Sequence, residues 1–376
     1  MVKFVLLEFK KPKTIARVRD RNYVKAKWRG LFTEDGIPID VIISPEVEVA
    51  NAVIRRLALP GAFDSSSFAN GSAEMIGVAI GQDCPVIDTP LNQLTGLFPD
   101  LQAIVVGLRR DNKVYVPDFY DTIQSGDEAF LVTASTDTER TLKIFGHEER
   151  EARRIVIVGG GNIGYQVAKE LDTQAGRYSL SLIEASSDRA RSIAERLNRS
   201  IVLQGSGLSP EILAEAGIRQ ADLVLALTND DQVNILTNML ALQEGCERGL
   251  CLINDNSFQN LAGDFGMEVS INPRAITVSS VLRHVRLGNV SQVHALSDES
   301  AELIEAEIKE GSPIASSKLR DLDLGSAMRI GMVYRKKKLI LPRGGTELKP
   351  GDRVVMFVTA EGIEQFESLL ISKEKK

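Results

Sequence analysis

Apolar residues fall along this chain in two rhythms. Between Arg153 and Asn272, continuous runs such as Ile155-Val156-Ile157-Val158, Ile201-Val202-Leu203 and Leu223 to Leu227 alternate with amphipathic stretches such as Tyr165 to Leu171 and Gln232 to Glu244. Unbroken apolar runs mark strands buried on both faces of a parallel sheet, and the stretches between them have the period of helices. Residues 153–272 therefore predict a complete βαβ series. Residues 70–146 and 290–372 instead mix alternating apolar and polar positions, as around Ala103 to Leu108, with frequent Gly, Asp and Pro turns. Each predicts a small α+β module. A helix over 273–289 joins the series to the second module, and His147 to Arg153 reads as a charged linker. Ahead of all this, residues 1–58 predict a helix (Val2 to Phe9), a strand (Thr14 to Val18), a helix around Tyr23 to Phe32 and a short strand (Asp40 to Ile43). Residues 56–68, with Pro60-Gly61 and Ser65-Ser66-Ser67, read as a connector, and Lys373 to Lys376 as a frayed tail.

The chain is duplicated. Ile43-Ser44-Pro45-Glu46 returns as Ile271-Asn272-Pro273-Arg274, and Pro85-Val86-Ile87 as Pro313-Ile314-Ala315, both 228 positions on. Ser125-Gly126-Asp127 to Ala134 returns as Pro350-Gly351-Asp352 to Ala360, with Gly351 lying 225 positions after Gly126. Anchors in one order at nearly one offset indicate repeated units. About a hundred residues of strands and helices precede the second set, but only Met1 to Lys13 precede the first. The first copy thus reads as a partial nucleotide fold. The fold class expected is α/β, with one complete and one partial Rossmann-type parallel sheet, each followed by a small α+β module.

Charge and composition narrow the function. The net charge of -6 offers no basic field for nucleic acid. The cluster Arg335 to Lys338 reads as a hairpin turn. Cys84, Cys246 and Cys251 show no metal-ligand or redox spacing, as expected of a reducing cytosol. No run approaches the roughly 18 apolar residues that cross a bilayer.

Candidate chemistry concentrates after the first strand of the complete series. Gly159-x-Gly161-x-x-Gly164 follows the run Arg154 to Val158 and opens a helix. In this setting the first glycine permits a tight turn, the second lets backbone approach a pyrophosphate, and the third lets helix and strand pack closely. The helix N-terminus adds unpaired amides and partial positive charge. Glu184, twenty residues after Gly164 at a strand end, is placed to accept ribose hydroxyls and to repel a 2′-phosphate, which favours NAD over NADP. Gly205 and Ser206 end the next strand, and Thr228, Asn229 and Asp230 the one after. For Asp230 a helix-capping role competes with ligand contact.

The duplication, the glycine loop, Thr228-Asn229-Asp230-Asp231, Asn234 and the strand ending at Pro273 resemble the TrkA family, cytosolic regulators of Trk potassium uptake built from RCK domains. In the first copy, Thr14-Ile15-Ala16-Arg17-Val18-Arg19 with Tyr23, and Ile39-Asp40 before Ser44-Pro45-Glu46, resemble that family's first nucleotide domain. The resemblance implies domains at 1–58, 70–146, 153–272 and 290–372. It implies NAD(H), or ATP/ADP at the same site, and a homo-oligomer, a dimer or tetramer ring, working on a membrane potassium-transporting subunit at the inner face of the plasma membrane. It assigns the phosphates to Gly159, Gly161, Asn162, Ile163 and Gly164, the ribose to Glu184, and the adenosine surroundings to Gly205 and Thr228 to Asp230. Three positions depart from the family pattern. Ser206 replaces an aspartate. Asn254 replaces an arginine after the fifth strand. The first copy keeps that arginine as Arg17, with Arg19 nearby, but has no glycine loop to serve; Arg17 is read as surface-exposed, with a role at a neighbouring subunit's site as the alternative.

Two other classes compete: an NAD-dependent oxidoreductase and an assembly scaffold without ligand response. Hydride transfer calls for a positioned acid or base, and His147, His284 and His294 all read as structural. Helix Ala275 to Val285, apolar at Ile276, Val278, Val281, Leu282 and Val285, reads equally as a subunit contact or a core helix. Asp88, Asp127 and Asp352 read as turn formers.

Overall fold

The computed structural model describes residues 14–18, 39–174, 176–255, 257–258, 269–286 and 289–370. The helices expected at Val2 to Phe9 and Tyr23 to Phe32, and the tail at Lys373 to Lys376, lie outside these residues. The chain starts with two short parallel strands, β1 (Ile15–Arg17) and β2 (Val41–Ile43), with Ile15 opposite Val41 and Arg17 opposite Ile43. Helix α1 (Pro45–Ala58) follows at once. Pro45 suits its first turn, with Glu46 and Glu48 at the positive end of its dipole and Arg55 and Arg56 at the negative end.

The first small module is an antiparallel sheet of β3 (Ala62–Phe68), β4 (Ala73–Ala79), β5 (Ala103–Arg110), β6 (Lys113–Tyr115) and β7 (Glu128–Ala134), in the order β3-β4-β7-β5-β6. Helices α2 (Leu91–Leu97) and α3 (Thr138–Ile144) accompany it. The connector expected at 56–68 is corrected here. Residues 56–58 finish α1, and Ser65, Ser66 and Ser67 belong to β3, opposite Ile76, Met75 and Glu74. Pairing with β4 satisfies the backbone whatever the side chains are, and this tertiary ladder overrides the turn preference of a serine run.

The complete series then forms as expected: β8 (Arg154–Val158), α4 (Asn162–Thr173), β9 (Ser179–Glu184), α5 (Ser187–Ala194), β10 (Ile201–Gln204), α6 (Pro210–Glu215), β11 (Leu223–Ala226), α7 (Asp231–Gln243), β12 (Gly249–Leu252), β13 (Val269–Ile271) and α8 (Pro273–Val285). All six strands are parallel, in the order β10-β9-β8-β11-β12-β13. Alternate residues feed two cores. Ile155, Ile157, Leu182 and Leu225 pack on one face, and Val156, Val158, Ile183 and Val224 on the other. The order reverses between β8 and β11, which opens a crevice at their carboxyl ends. Val49, Ala50, Val53 and Leu57 of α1 share the first core with Val167, Ala168 and Leu171 of α4. The partial unit is thereby docked directly behind the glycine loop's helix.

The second small module repeats the first: β14 (Asn289–Ala295), β15 (Ala301–Glu307), β16 (Met328–Arg335), β17 (Lys338–Ile340) and β18 (Arg353–Thr359), in the order β14-β15-β18-β16-β17, then α9 (Ile363–Leu370). Even the irregularities recur, at Val105/Gly107 and Ile330/Met332. Asp127 and Asp352 occupy the same turn in each copy. Each is buried, accepts two hydrogen bonds from an arginine (Arg110 or Arg335), and accepts an amide from its own turn. The two sheets pack face to face around Phe130 and Phe357, whose rings stack with centroids 5.8 Å apart. At Gly107 any side chain would run into the Phe357 ring.

Candidate functional site

Strand β8 passes into a loop whose three motif glycines are held for different reasons. Gly159 has φ +102, and a Cβ there would lie 2.9 Å from the Thr228 amide nitrogen. At Gly164 a Cβ would overlap the Gly159 carbonyl oxygen, so the closeness of α4 to β8 requires glycine. Gly161 is different. It has an ordinary φ of -57, and a Cβ there meets nothing within 4 Å. No side chain caps α4 at Gly161, so its first amides face the space that Gly161 leaves open.

Glu184 ends β9 beside this loop. One carboxylate oxygen accepts from the Gly160 amide at 2.7 Å and the other from the Ser186 amide at 2.9 Å. A carboxylate has about four lone-pair directions, so both oxygens retain acceptor capacity. Arg189 braces the loop from α5, donating to the Gly160 carbonyl at 2.6 Å and to Asn162 Oδ1 at 3.4 Å. A side chain at 160 would displace the tip of Ile193 and press on Glu184 Oε2, so glycine here leaves the carboxylate its place beside the loop.

The remaining strand ends are fixed by polar side chains. Asn234, fully buried in α7, accepts from Thr228 N at 2.9 Å and Thr228 Oγ1 at 2.7 Å, and donates to the Leu252 carbonyl at 2.9 Å. It ties the ends of β11 and β12 to one helix. Asp230 caps α7 by accepting from the Gln232 and Val233 amides at 2.9 and 3.0 Å. The carboxylate of Asp231 holds the amide of Asn254 and its side chain. The Gly205 amide donates to the Glu184 carbonyl at 3.0 Å, and Ser206 Oγ accepts from the Leu208 amide at 3.2 Å.

Gly159, Gly161, Asn162, Ile163, Glu184, Gly205, Ser206, Thr228, Asn229 and Asp230 all line one cleft of about 1340 Å³. Gly164 does not line it and sits beneath the loop as a packing residue. The opposite wall comes from the partial unit, through Arg17, Pro45, Glu46 and Val49. Arg17 was expected at the surface. It is exposed, yet it faces this cleft and joins Arg189 and Arg274 as a cation there. Sequence reading missed Gly160, Arg189 and Arg274. Gly160 was visible as an extra glycine inside the motif, whereas the two arginines reach the cleft only through the fold. The histidines lie elsewhere: His147 bonds the Ala79 carbonyl at 2.9 Å, His294 bonds Asp64 at 2.9 Å, and His284 is on α8. Cys251 is buried in β12 and its thiol is pushed up to about 12 by that burial, which leaves it an inert small hydrophobe.

A TrkA-N domain family model matches residues 155–273, and a TrkA-C domain model matches residues 75–146 and 303–371. The Trk system potassium uptake protein TrkA of Azorhizobium caulinodans is 48% identical over 361 residues, covering 96% of this chain and 79% of that protein. The chain belongs to the TrkA family. A second TrkA family member, from Halomonas elongata, is 35% identical over 93% of this chain and 76% of its own length. Among solved structures, the GsuK RCK domain matches 95% of this chain and 75% of its own, with TM-score 0.52 and 16% identity, a likeness of fold. The TrkA-N match coincides with the six-stranded sheet and its glycine loop, and the two TrkA-C matches fall on the paired antiparallel sheets.

Proposed function

We propose that this chain is a nucleotide-binding regulatory subunit of a Trk-type potassium uptake system, acting from the cytoplasmic face on a membrane potassium-transporting partner. The ligand is NAD(H) or an adenine nucleotide, ADP or ATP. Its phosphates rest on the amides of Gly161, Asn162 and Ile163, its ribose hydroxyls meet the spare lone pairs of Glu184, and its adenine lies beside Gly205 and Ser206. The observation that carries this reading is the open space at Gly161, where uncapped helix amides face a cleft walled by Arg17, Arg189 and Arg274. The names of the relatives support the transport role.

A ligand moves an equilibrium only by its difference in affinity between two states. Here α4 rises from the glycine loop and packs against α1, and α1 leads into β3, so closure of the cleft onto a ligand is passed to the paired sheets. An oxidoreductase reading is weaker: among the described residues, the cleft lining contains no His, Lys or Tyr to move a proton.

The experiment is potassium flux into vesicles carrying the Trk membrane subunit, with this chain added. Wild type should change the flux when NADH or ATP is present, and Gly161→Asp should not. Identical flux with and without nucleotide for wild type overturns the regulatory reading.

A further inference from the structure

The duplication creates a second cavity, away from the glycine loop. It measures about 330 Å³ and lies between α1, α8, β3 and β14, where β13 hands over to α8. Arg55 of α1 and Arg283 of α8 both line it, and they are equivalent residues of the two copies, 228 positions apart. Arg56 and Arg109 add two more guanidinium groups, against the carboxylates Glu48, Asp64 and Glu128. Two of those carboxylates are already engaged, Asp64 by His294 at 2.9 Å and Glu128 by Arg109.

Several donors lining this cavity lack acceptors, while one terminal nitrogen of Arg283 lies 3.4 Å from His284 Nε2. Nε of Arg55 and Nε of Arg283 are buried without hydrogen-bond partners, and so is the hydroxyl of Ser65, a residue only 5% exposed. Burial pulls the Arg55 guanidinium below its usual range, with Glu74, Glu48 and Asp64 opposing the shift only through space. A buried cation without hydrogen-bonded counter-charge is costly, and a fold that keeps two of them facing one volume leaves room for the missing anion. Guanidinium forks match the oxygens of phosphate, and a hydroxyl can add a further donor.

We propose that this cavity is a second ligand site, taking a small phosphoryl anion held between Arg55 and Arg283 with Ser65 donating from β3. Its volume is at the low end of the roughly 300–1,000 Å³ range of small-molecule pockets. The site therefore selects an anion of phosphate or pyrophosphate size and excludes a dinucleotide. The anion bridges the two copies of one helix, α1 behind the glycine loop and α8 at the end of the parallel sheet. It fixes their relative position whether or not the larger cleft is filled.

The test uses inorganic phosphate and pyrophosphate as probes at constant ionic strength, with chloride as the control anion. The full chain carries Gly161→Asp, so that the glycine loop cannot take the probe. Calorimetry should give saturable heat with pyrophosphate, and the melting temperature should rise with the probe and not with chloride. Arg55→Gln and Arg283→Gln should each weaken binding about tenfold or more, as expected for a charged hydrogen bond. Without anion, Arg55→Gln should melt no lower than its parent. Ser65→Ala removes only a hydroxyl, folds normally and weakens binding severalfold, so it decides the matter if the arginine variants do not fold. No saturable heat in the parent, or affinities untouched by these substitutions, overturns the site.

Discussion

Gly161 and Gly164 look alike in the sequence and behave oppositely in the structure. Alanine at 161 meets open space, so Gly161→Ala should melt within about a degree of wild type while binding nucleotide more weakly, because a methyl group stands where phosphate approaches. Alanine at 164 collides with the Gly159 carbonyl, so Gly164→Ala should cost about 1–3 kcal/mol as overpacking, and thermal melts of the two variants separate the roles. Asp172 gives a second prediction at this scale. Burial pushes its carboxyl up, but the amides of Asn198, Arg199 and Ser200 and the Ser200 hydroxyl outweigh that and hold it below the ordinary value. Because the folded value is the lower one, the stabilisation is complete above the unfolded value of about 3.9. It is lost as pH falls through the folded value. Asp172→Asn should therefore destabilise by about 1–3 kcal/mol at pH 7. The gap between wild type and variant should close toward pH 3 in melts across that range.

Among elements, α7 is the one whose sequence already announced its work. Asp230 was legible as a cap, and Asp230→Ala should cost about 1 kcal/mol. Asn234 matters more, because its amide holds the ends of β11 and β12 together. Asn234→Ala leaves buried backbone groups unpaired and should cost about 2 kcal/mol or more, with weaker nucleotide binding in the same preparation. Strands β8, β10 and β11 of the parallel sheet were legible because each carries an unbroken apolar run, the pattern expected of burial on both faces, whereas serines interrupt β9 and β13. Strand β3 was not legible, since the backbone of its serines is paired in the ladder with β4 and Ser65 and Ser66 are buried, although a serine run reads as a turn. Helix α8 was left between subunit contact and core. It packs inward through Ile276 and Leu282, with Val285 alone among its apolar positions 60% exposed.

The whole molecule is two copies folded against each other, and contacts between the copies were the least visible in advance. Periodicity reports a residue's own helix or strand. It is silent on which distant element a residue faces, and so Arg17, exposed as expected, was not seen to line the same cleft as the glycine loop. The paired sheets share one core, so Phe357→Ala should cost about 3–5 kcal/mol and lower the melting of both modules together, in a single transition. The proposed regulation requires a phosphate-bearing ligand to enter at Gly161, and the decisive measurement is isothermal titration of the folded chain with NADH and with ATP. Saturable heat with at least one of them in wild type, and its disappearance in Gly161→Asp, is the predicted result. A flat titration with every adenine nucleotide, or equal heat in the variant, would contradict it.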